Sequence, residues 1–172
     1  CEPPAHDWLA DKLVTMWDPK REKDPPQKAK YVLGMAIKQS STSIEITNTV
    51  LSDKLVEQFN MQDCKTKATP LSPAVTIQVE PDQPTLNKKD HRQYRSGVAM
   101  LTYLATTTRP DLAHAASQLG RVQHQPTASH MEQLRHAIAC VRATRTRGIR
   151  YGAPSPEHCN KLLCYADSSW AD

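Results

Sequence analysis

The feature that most constrains the fold is a run of apolar residues with helical spacing within residues 94–151. Apolar side chains recur there every three or four residues, which places them on one face of a helix with about 3.6 residues per turn. Breaks at residues 106–110 and near Gly120 divide the run into three predicted helices. Their apolar faces are Val98, Leu101, Leu104 and Ala105, then Leu112, Ala115, Ala116 and Leu119, then Met131, Leu134, Ile138 and Val141. Such faces must pack on each other or on a sheet.

Local signals predict where these helices begin and end. Pro110 fits the first turn of the second helix, where its missing N–H has no intrahelical partner, and Gly120 is a predicted stop. Ser129 and Glu132 have the spacing of a capping box, which predicts the start of the third helix. Gly148 is expected to end that helix, and an extended piece follows it.

The first half of the chain predicts a hairpin followed by a helix. Residues 31–38 favour a β-strand, residues 40–43 form a serine-rich turn, and residues 44–47 alternate apolar with polar side chains. Leu51, Leu55 and Phe59 then recur every four residues, which predicts a helix capped by Thr49 or Ser52. A further short amphipathic helix is predicted for residues 7–17.

Prolines separate these two parts of the chain. Four prolines between Cys64 and Asp90 exclude a regular helix there, although Val75, Ile77 and Val79 have the spacing of a short edge strand. This segment is therefore the expected linker. Near the end of the chain, residues 161–166 are a candidate buried strand that leads directly to Asp167.

Composition excludes several classes of protein. No apolar run approaches the roughly 18 residues that a membrane span needs, and the first residues lack a secretion signal pattern. The five cysteines are an odd number without a C-x-x-C pair, which argues against a disulfide framework and a zinc knuckle. We therefore expect a soluble protein that is not secreted and has no membrane partner.

The charge is distributed unevenly. Between residues 94 and 150 all eight basic side chains are arginine, against only Asp111 and Glu132. These arginines are Arg95, Arg109, Arg121, Arg135, Arg142, Arg145, Arg147 and Arg150. The planar guanidinium suits recognition of phosphate, so one interpretation is a surface that faces nucleic acid. The other is a solvated helix face whose last arginines compensate the helix dipole.

Several motifs occur together in one order along residues 30–172. They are Tyr31-Val32-Leu33-Gly34-Met35, Phe59-Asn60-Met61, Thr69-Pro70-Leu71, Tyr94-Arg95-Ser96, Thr108-Arg109-Pro110-Asp111-Leu112, Gly148-x-x-Tyr151 and Tyr165-Ala166-Asp167-x-x-Trp170-Ala171. In these motifs the chain resembles the Pol polyprotein of copia-type long-terminal-repeat retrotransposons, where the reverse transcriptase ends and the ribonuclease H begins.

The resemblance implies an α+β chain in four parts. Residues 1–63 would be the end of the reverse transcriptase palm, with a β-hairpin and helix, and residues 64–93 a proline-rich linker. Residues 94–147 would form a three-helix block like the thumb and connection, and residues 148–172 the first strand or strands of a truncated ribonuclease H-like sheet. The implied partners are an RNA/DNA duplex or template-primer and the remainder of the polyprotein. The implied location is intracellular, in a cytoplasmic particle or the nucleus.

The resemblance also implies site residues. Asp167 corresponds to the first catalytic carboxylate of ribonuclease H, a ligand of magnesium (Mg2+) in the parent enzyme. Ser169 stands where the family usually has a second Asp, which suggests a drifting copy. Arg135, Arg142, Arg145 and Arg147 are the expected contacts to nucleic acid.

Missing motifs limit what this polypeptide is expected to catalyse. The family's polymerase needs adjacent aspartates to hold two metal ions, and none occur in this sequence; its ribonuclease H needs carboxylates beyond Asp167. We therefore expect a fragment of an RNA-directed DNA polymerase and ribonuclease H that is not catalytic alone and has no cofactor of its own. The alternative is a non-catalytic nucleic-acid-binding or scaffold protein derived from such an element.

Overall fold

The computed structural model describes residues 30–73 and 75–152, and those from Tyr31 onward belong to one compact unit. Within these residues the chain is α+β, as predicted, with four strands and four α-helices. The strands are β1 (Tyr31–Val32), β2 (Met35–Gln39), β3 (Ser43–Thr47) and β4 (Gly148–Gly152). The helices are α1 (Thr49–Gln58), α2 (Lys88–Thr107), α3 (Ala113–Arg121) and α4 (Ala128–Ala143), with a 3-10 turn at Pro110–Leu112 before α3.

The described strands form one open antiparallel sheet in the order β1-β2-β3-β4. The predicted hairpin is confirmed as β2 and β3, joined by a turn in which the Ser40 hydroxyl accepts the N–H of Ser43 at 2.9 Å. A tighter hairpin joins β1 to β2 through Leu33 and Gly34. Their φ angles of 50° and 79° are both positive, as a two-residue type I′ turn requires.

Strand β4 completes the hairpin's sheet. The extended piece predicted after the third helix is confirmed, and it pairs with β3 from Thr47 opposite Gly148 to Ser43 opposite Gly152. A side chain at Gly148 would collide with the carbonyl oxygen of Ile46, so this glycine permits the close approach of the two strands. The prediction that Gly148 ends the helix was wrong, since α4 ends at Ala143.

Two helix starts differ from their predictions because other residues supply the caps. Helix α1 is capped by Asn48, whose side-chain oxygen accepts the N–H of Leu51 at 3.1 Å, and not by Thr49 or Ser52. Helix α4 has a capping box, but its members are Thr127 and His130. The N–H of Thr127 donates to His130 Nδ1 at 3.0 Å.

The start of α2 and the end of α3 also differ from their predictions. Helix α2 begins at Lys88 rather than near Tyr94, because Asn87 caps it by accepting the N–H groups of Lys89 and Asp90, both at 3.0 Å. Gly120 was expected to stop α3, but it lies inside the helix, which ends at Arg121. Pro110 occupies the first turn after α2, as predicted.

All four described helices contribute to one hydrophobic core. The predicted apolar faces of α2 and α3 are buried, as is that of α4 except for Met131, which packs against the core from its margin. Helix α1 adds Leu55 and, just beyond its end, Phe59. A Cβ atom at Gly97 would lie 2.6 Å from Phe59 Cζ, so the glycine allows α2 to approach Phe59 closely. The hydroxyl of buried Tyr94 donates to the Leu119 carbonyl at 2.9 Å. Burial raises the pKa of the Tyr94 hydroxyl.

The proline-rich segment packs against the start of α4. The edge strand expected at Val75, Ile77 and Val79 does not form, and Thr85 makes a single bridge with Thr127 instead. Ile77 is buried in the core, and the N–H of Leu86 donates to the Pro126 carbonyl at 2.8 Å. The segment is therefore held in place by specific contacts, although it has no regular structure.

Some predictions fall outside the described residues. They are the helix at residues 7–17, the strand at residues 161–166, and Asp167 with the ribonuclease H-like motif around it. Among the helices that the structure describes, none has the length and apolar character needed to cross a membrane.

Candidate functional site

Arg135 is an exposed residue of α4 that lies beside α1 and α2. Its guanidinium carbon is 5.9 Å from the centroid of the buried Phe59 ring, within the range of a cation–π contact. No carboxylate of the described residues forms an ion pair with Arg135. Arg135 is thus the one of the four predicted arginines that is both exposed and held over an aromatic ring.

Arg142 and Arg145 line a different cleft, of about 560 Å³. Arg142 is half-buried and donates to the Cys64 carbonyl at 2.6 Å, so it fastens the segment after α1 to α4. Arg145 lies 3.5 Å from a carboxylate oxygen of Asp53, and Glu57 lines the same cleft. The two carboxylates offset the positive charge of these two arginines.

Arg147 is exposed in the turn between α4 and β4, where its N–H donates to the Thr144 carbonyl at 2.9 Å. The structure therefore places the four predicted arginines on α4 and just beyond it, but it does not bring them into one cluster. Arg135 lines one cleft, while Arg142 and Arg145 share another.

Arg109 has a structural role that sequence analysis missed. It is only 1% exposed, and its guanidinium donates to both carboxylate oxygens of Asp111 at 2.8 Å. It also donates to the carbonyl of Thr144 at 3.0 Å and to its hydroxyl at 2.7 Å. The hydrogen bonds from Arg109 to Asp111 are the main reason that the pKa of Asp111 lies below its usual value. Arg109 joins the turn before α3 to the end of α4 and is not available to a ligand.

Among the described residues, three cations meet at a cleft of about 580 Å³. Lys89 and Arg92 of α2 line one side, and Arg135 of α4 lines another. The other described lining residues are polar or aromatic and include no carboxylate: Gln58, Phe59, Asn60, Gln93 and Ser96. We call the space between Lys89, Arg92 and Arg135 the basic cleft.

Hydrogen bonds fix the wall of the basic cleft. Gln58 Nε2 donates to the Ser96 hydroxyl at 3.0 Å, and Gln93 Nε2 donates to the Gln58 carbonyl at 3.2 Å. Asn60 follows α1 with a positive φ of 51°, which turns the chain away from the helix axis. The side-chain N–H groups of Gln58 and Gln93 are therefore already paired, whereas the cations at the rim form no ion pair with the residues that the structure describes.

Positive charge continues along α2. Arg92 also lines a neighbouring cleft of about 390 Å³ with Lys88, His91 and Arg95. Lys88, Arg92 and Arg95 are exposed and His91 is half-buried, so these residues flank the buried stripe of the same helix. Lys88, Lys89 and Arg92 were not predicted, because the helix was expected to begin at Tyr94. The available signal was Asn87 with Asp90 three residues later, a cap before a charged first turn.

Glu80 joins the proline-rich segment to the start of α4. Its carboxylate accepts the Thr127 hydroxyl at 2.7 Å and the Ser129 hydroxyl at 3.2 Å. The hydrogen bond from Thr127 is the main reason that the pKa of Glu80 lies below its usual value. Buried His130 donates from Nε2 to the Gln78 carbonyl at 2.9 Å, which leaves Nδ1 to accept from Thr127.

The described residues do not group three or more potential metal ligands of the histidine, cysteine, aspartate and glutamate types. Asp167, the predicted magnesium ligand, lies outside these residues. The described part of the chain therefore supplies no set of donors that fits magnesium, and we derive no metal-dependent step from it.

Comparison with known proteins relates most of this chain to transposon proteins. It is 28% identical over 133 residues to the retrovirus-related Pol polyprotein from transposon TNT 1-94 of Nicotiana tabacum, a match covering 74% of this chain and 10% of that protein. It is 30% identical over 143 residues to the Pol polyprotein from transposon RE2 of Arabidopsis thaliana, covering 82% of this chain and 9% of that protein.

A shorter relative is also similar. An uncharacterized mitochondrial protein of Arabidopsis thaliana is 29% identical over 144 residues, which are 82% of this chain and 55% of that protein. The chain thus spans about half the length of this relative and about a tenth of each Pol polyprotein.

No protein-family model matches the chain, and no solved structure matches it. The order of motifs and the identities of about 30% over most of the chain agree with each other. The predicted relationship is therefore confirmed at the level of the polyprotein: this chain is a homologue of part of the retrovirus-related Pol polyproteins from copia-type transposons.

Proposed function

We propose that this chain is a non-catalytic, nucleic-acid-binding part of a reverse transcriptase and ribonuclease H region. The parent would act as an RNA-directed DNA polymerase on an RNA or DNA template-primer, inside the cell and together with the remainder of its polyprotein. The observation that carries the proposal is the exposed basic surface of α2 and α4, which lies on a homologue of Pol polyproteins.

The charge pattern supports binding to a polyanion. Lys89, Arg92 and Arg135 are exposed cations that form no ion pair with a carboxylate of the described residues, and Arg147 adds exposed positive charge further along the chain. Cations on a duplex displace condensed counterions, which makes binding favourable and dependent on salt. Such binding needs neither a metal nor a nucleophile, in agreement with a role that positions nucleic acid.

Catalysis is assigned to the parent. Two magnesium ions would supply polarisation of the scissile phosphate and activation of water there, and Asp167 is the proposed first carboxylate ligand of its ribonuclease H site. Since no adjacent aspartates occur in this sequence, it lacks the polymerase metal site of the family. The polypeptide alone is thus proposed to bind without turnover.

The similarity to the shorter mitochondrial protein favours a second candidate. A related segment occurs there in a protein of which it makes up about half, so the same fold would serve as a nucleic-acid-binding or scaffold protein derived from a transposable element. The first candidate requires binding to nucleic acid, as does the second unless it acts only as a scaffold. They differ in whether the remainder of a polyprotein is needed.

A combined binding and turnover assay tests the proposal. The chain is titrated into a labelled RNA–DNA hybrid at low salt, and fluorescence anisotropy reports binding while gel analysis reports extension or cleavage with magnesium. We expect saturable binding and no product above background. Absence of binding at low salt would refute the nucleic-acid role, and product formation would refute the assignment as non-catalytic.

A further inference from the structure

We propose that the basic cleft of Lys89, Arg92 and Arg135 binds the sugar–phosphate backbone of nucleic acid without reading its bases. This inference rests on the proposed function and assigns its contact surface. It moves that surface away from the end of α4, where Arg142 and Arg145 lie, to the junction of α1, α2 and α4.

The position of the lysines on α2 is the first argument. Lys88 and Lys89 lie in the first turn of the helix, where the macrodipole already carries partial positive charge. Cations at this end oppose the dipole and do not stabilise the helix. Asn87 already accepts two N–H groups of this terminus and Asp90 lies in the same turn, so an anion beside Lys89 and Arg92 would be held by these two side chains.

The second argument is the fixed geometry of Arg135. Its guanidinium carbon lies 5.9 Å from the centroid of the Phe59 ring, and this ring is buried and cannot move freely. An arginine already oriented by an aromatic ring loses less side-chain entropy when it forms hydrogen bonds. Arg135 therefore presents N–H donors into the cleft at low cost.

Cations are the main free donors of the cleft. Gln58 Nε2 donates to the Ser96 hydroxyl and Gln93 Nε2 to the Gln58 carbonyl, so these two amides already have partners. Lys89, Arg92 and Arg135 suit phosphate oxygens of any sequence. An arginine can also contact the edge of a guanine base, so hybrids of different sequence are compared below.

Paired substitutions test the assignment in the full chain. The cleft variant combines Lys89→Gln, Arg92→Gln and Arg135→Gln. A control combines Lys54→Gln, Arg121→Gln and Arg150→Gln, which removes the same charge from exposed positions elsewhere. A third variant, Arg145→Gln with Arg147→Gln, reports on the end of α4. Thermal unfolding followed by circular dichroism verifies that each variant folds.

The readout is the dissociation constant of a labelled RNA–DNA hybrid over a series of salt concentrations. We expect the cleft variant to lose affinity and to reduce the slope of log Kd against log salt by about one unit per side chain. The control and the α4-end variant should each reduce this slope by less than the cleft variant does. Hybrids of different sequence should bind the wild-type chain with similar affinity. If the triple variant fails to fold, the single variant Arg92→Gln replaces it, with a smaller expected reduction of the slope.

The outcomes separate the two proposals. If the wild-type chain does not bind the hybrid at low salt, the proposed function itself fails. If it binds, but the slope falls only in the α4-end variant, the cleft assignment is wrong while the proposed function stands. Strong dependence on hybrid sequence, or equal competition by polyglutamate at matched charge, would also overturn backbone recognition by the cleft.

Discussion

At the residue scale, burial decides what each arginine does. Arg109 is 1% exposed and has partners for its donors within the fold, whereas Arg135 is exposed and contacts only the Phe59 ring among the interactions described. The sequence gives both the same charge. It does not reveal that Arg109 turns inward, because that follows from Asp111 and Thr144, which meet only when α3 packs against the end of α4.

Replacing Arg109 should destabilise the protein. Arg109→Ala removes charge-assisted hydrogen bonds to Asp111 and Thr144 and leaves a void, so we expect a loss of roughly 3 kcal/mol in the free energy of unfolding. Arg109→Lys should also destabilise, since an ammonium cannot reproduce the bidentate contact. Urea unfolding measures both. The exposed control Arg121→Ala should change stability by no more than about 0.5 kcal/mol, and an equally small effect at Arg109 would contradict its role as an anchor.

At the scale of elements, sequence periodicity predicts the helices better than their ends. The stripes of α2 and α3 are buried as predicted, because burial of one face in a common core is what their spacing encodes. The caps were missed at Asn48, Asn87 and Thr127, since several nearby residues are able to cap and tertiary contacts select one. The pairing of β4 with β3 was also missed, because periodicity carries no information about contacts between distant strands.

The Glu80 contact predicts how acid affects the segment before α4. The pKa of Glu80 in the folded state is lowered from 4.5, chiefly by the hydrogen bond from Thr127. Ionised Glu80 therefore adds to the free energy of unfolding above about pH 4.5, and this stabilisation is lost as the pH falls through the folded-state pKa. Glu80→Gln should therefore reduce the dependence of unfolding free energy on pH between about pH 5 and pH 3. Urea unfolding at several pH values tests this expectation.

A matched control for the acid prediction is Glu132→Gln, an exposed substitution on α4. It should leave the acid dependence close to that of the wild-type chain. Asp111 adds a separate acid dependence of the free energy of unfolding at lower pH, because its pKa is lowered from 3.8. If Glu80→Gln and the wild type lose stability in parallel on acidification, the carboxylate does not hold this segment to α4.

At the scale of the whole molecule, the sequence left two interpretations of its arginines open and did not locate the basic cleft. The excess of arginine within residues 94–150 fits either a surface that faces nucleic acid or a solvated helix face, and Arg135 belongs to the cleft proposed for the first. Lys89 and Arg92 were not among the predicted contacts, because they reach Arg135 only when α2 packs beside α4. The predicted catalytic Asp167 lies outside the described residues and stays a prediction.

The relationship to Pol polyproteins gives this surface its proposed context. The chain spans about a tenth of those proteins. Its described residues form a four-stranded sheet and four helices, and the helices share one hydrophobic core. The central claim is that this fold carries its own contact surface for nucleic acid in the basic cleft.

The most direct test of that claim is a titration of the isotope-labelled chain with an RNA–DNA hybrid, followed through the backbone amide signals in two-dimensional NMR spectra. We predict that the largest shifts cluster at Asn60, Lys89, Arg92 and Arg135, and that they diminish as salt is added. Shifts confined to Arg145 and Arg147, or no shifts at low salt, would contradict the account.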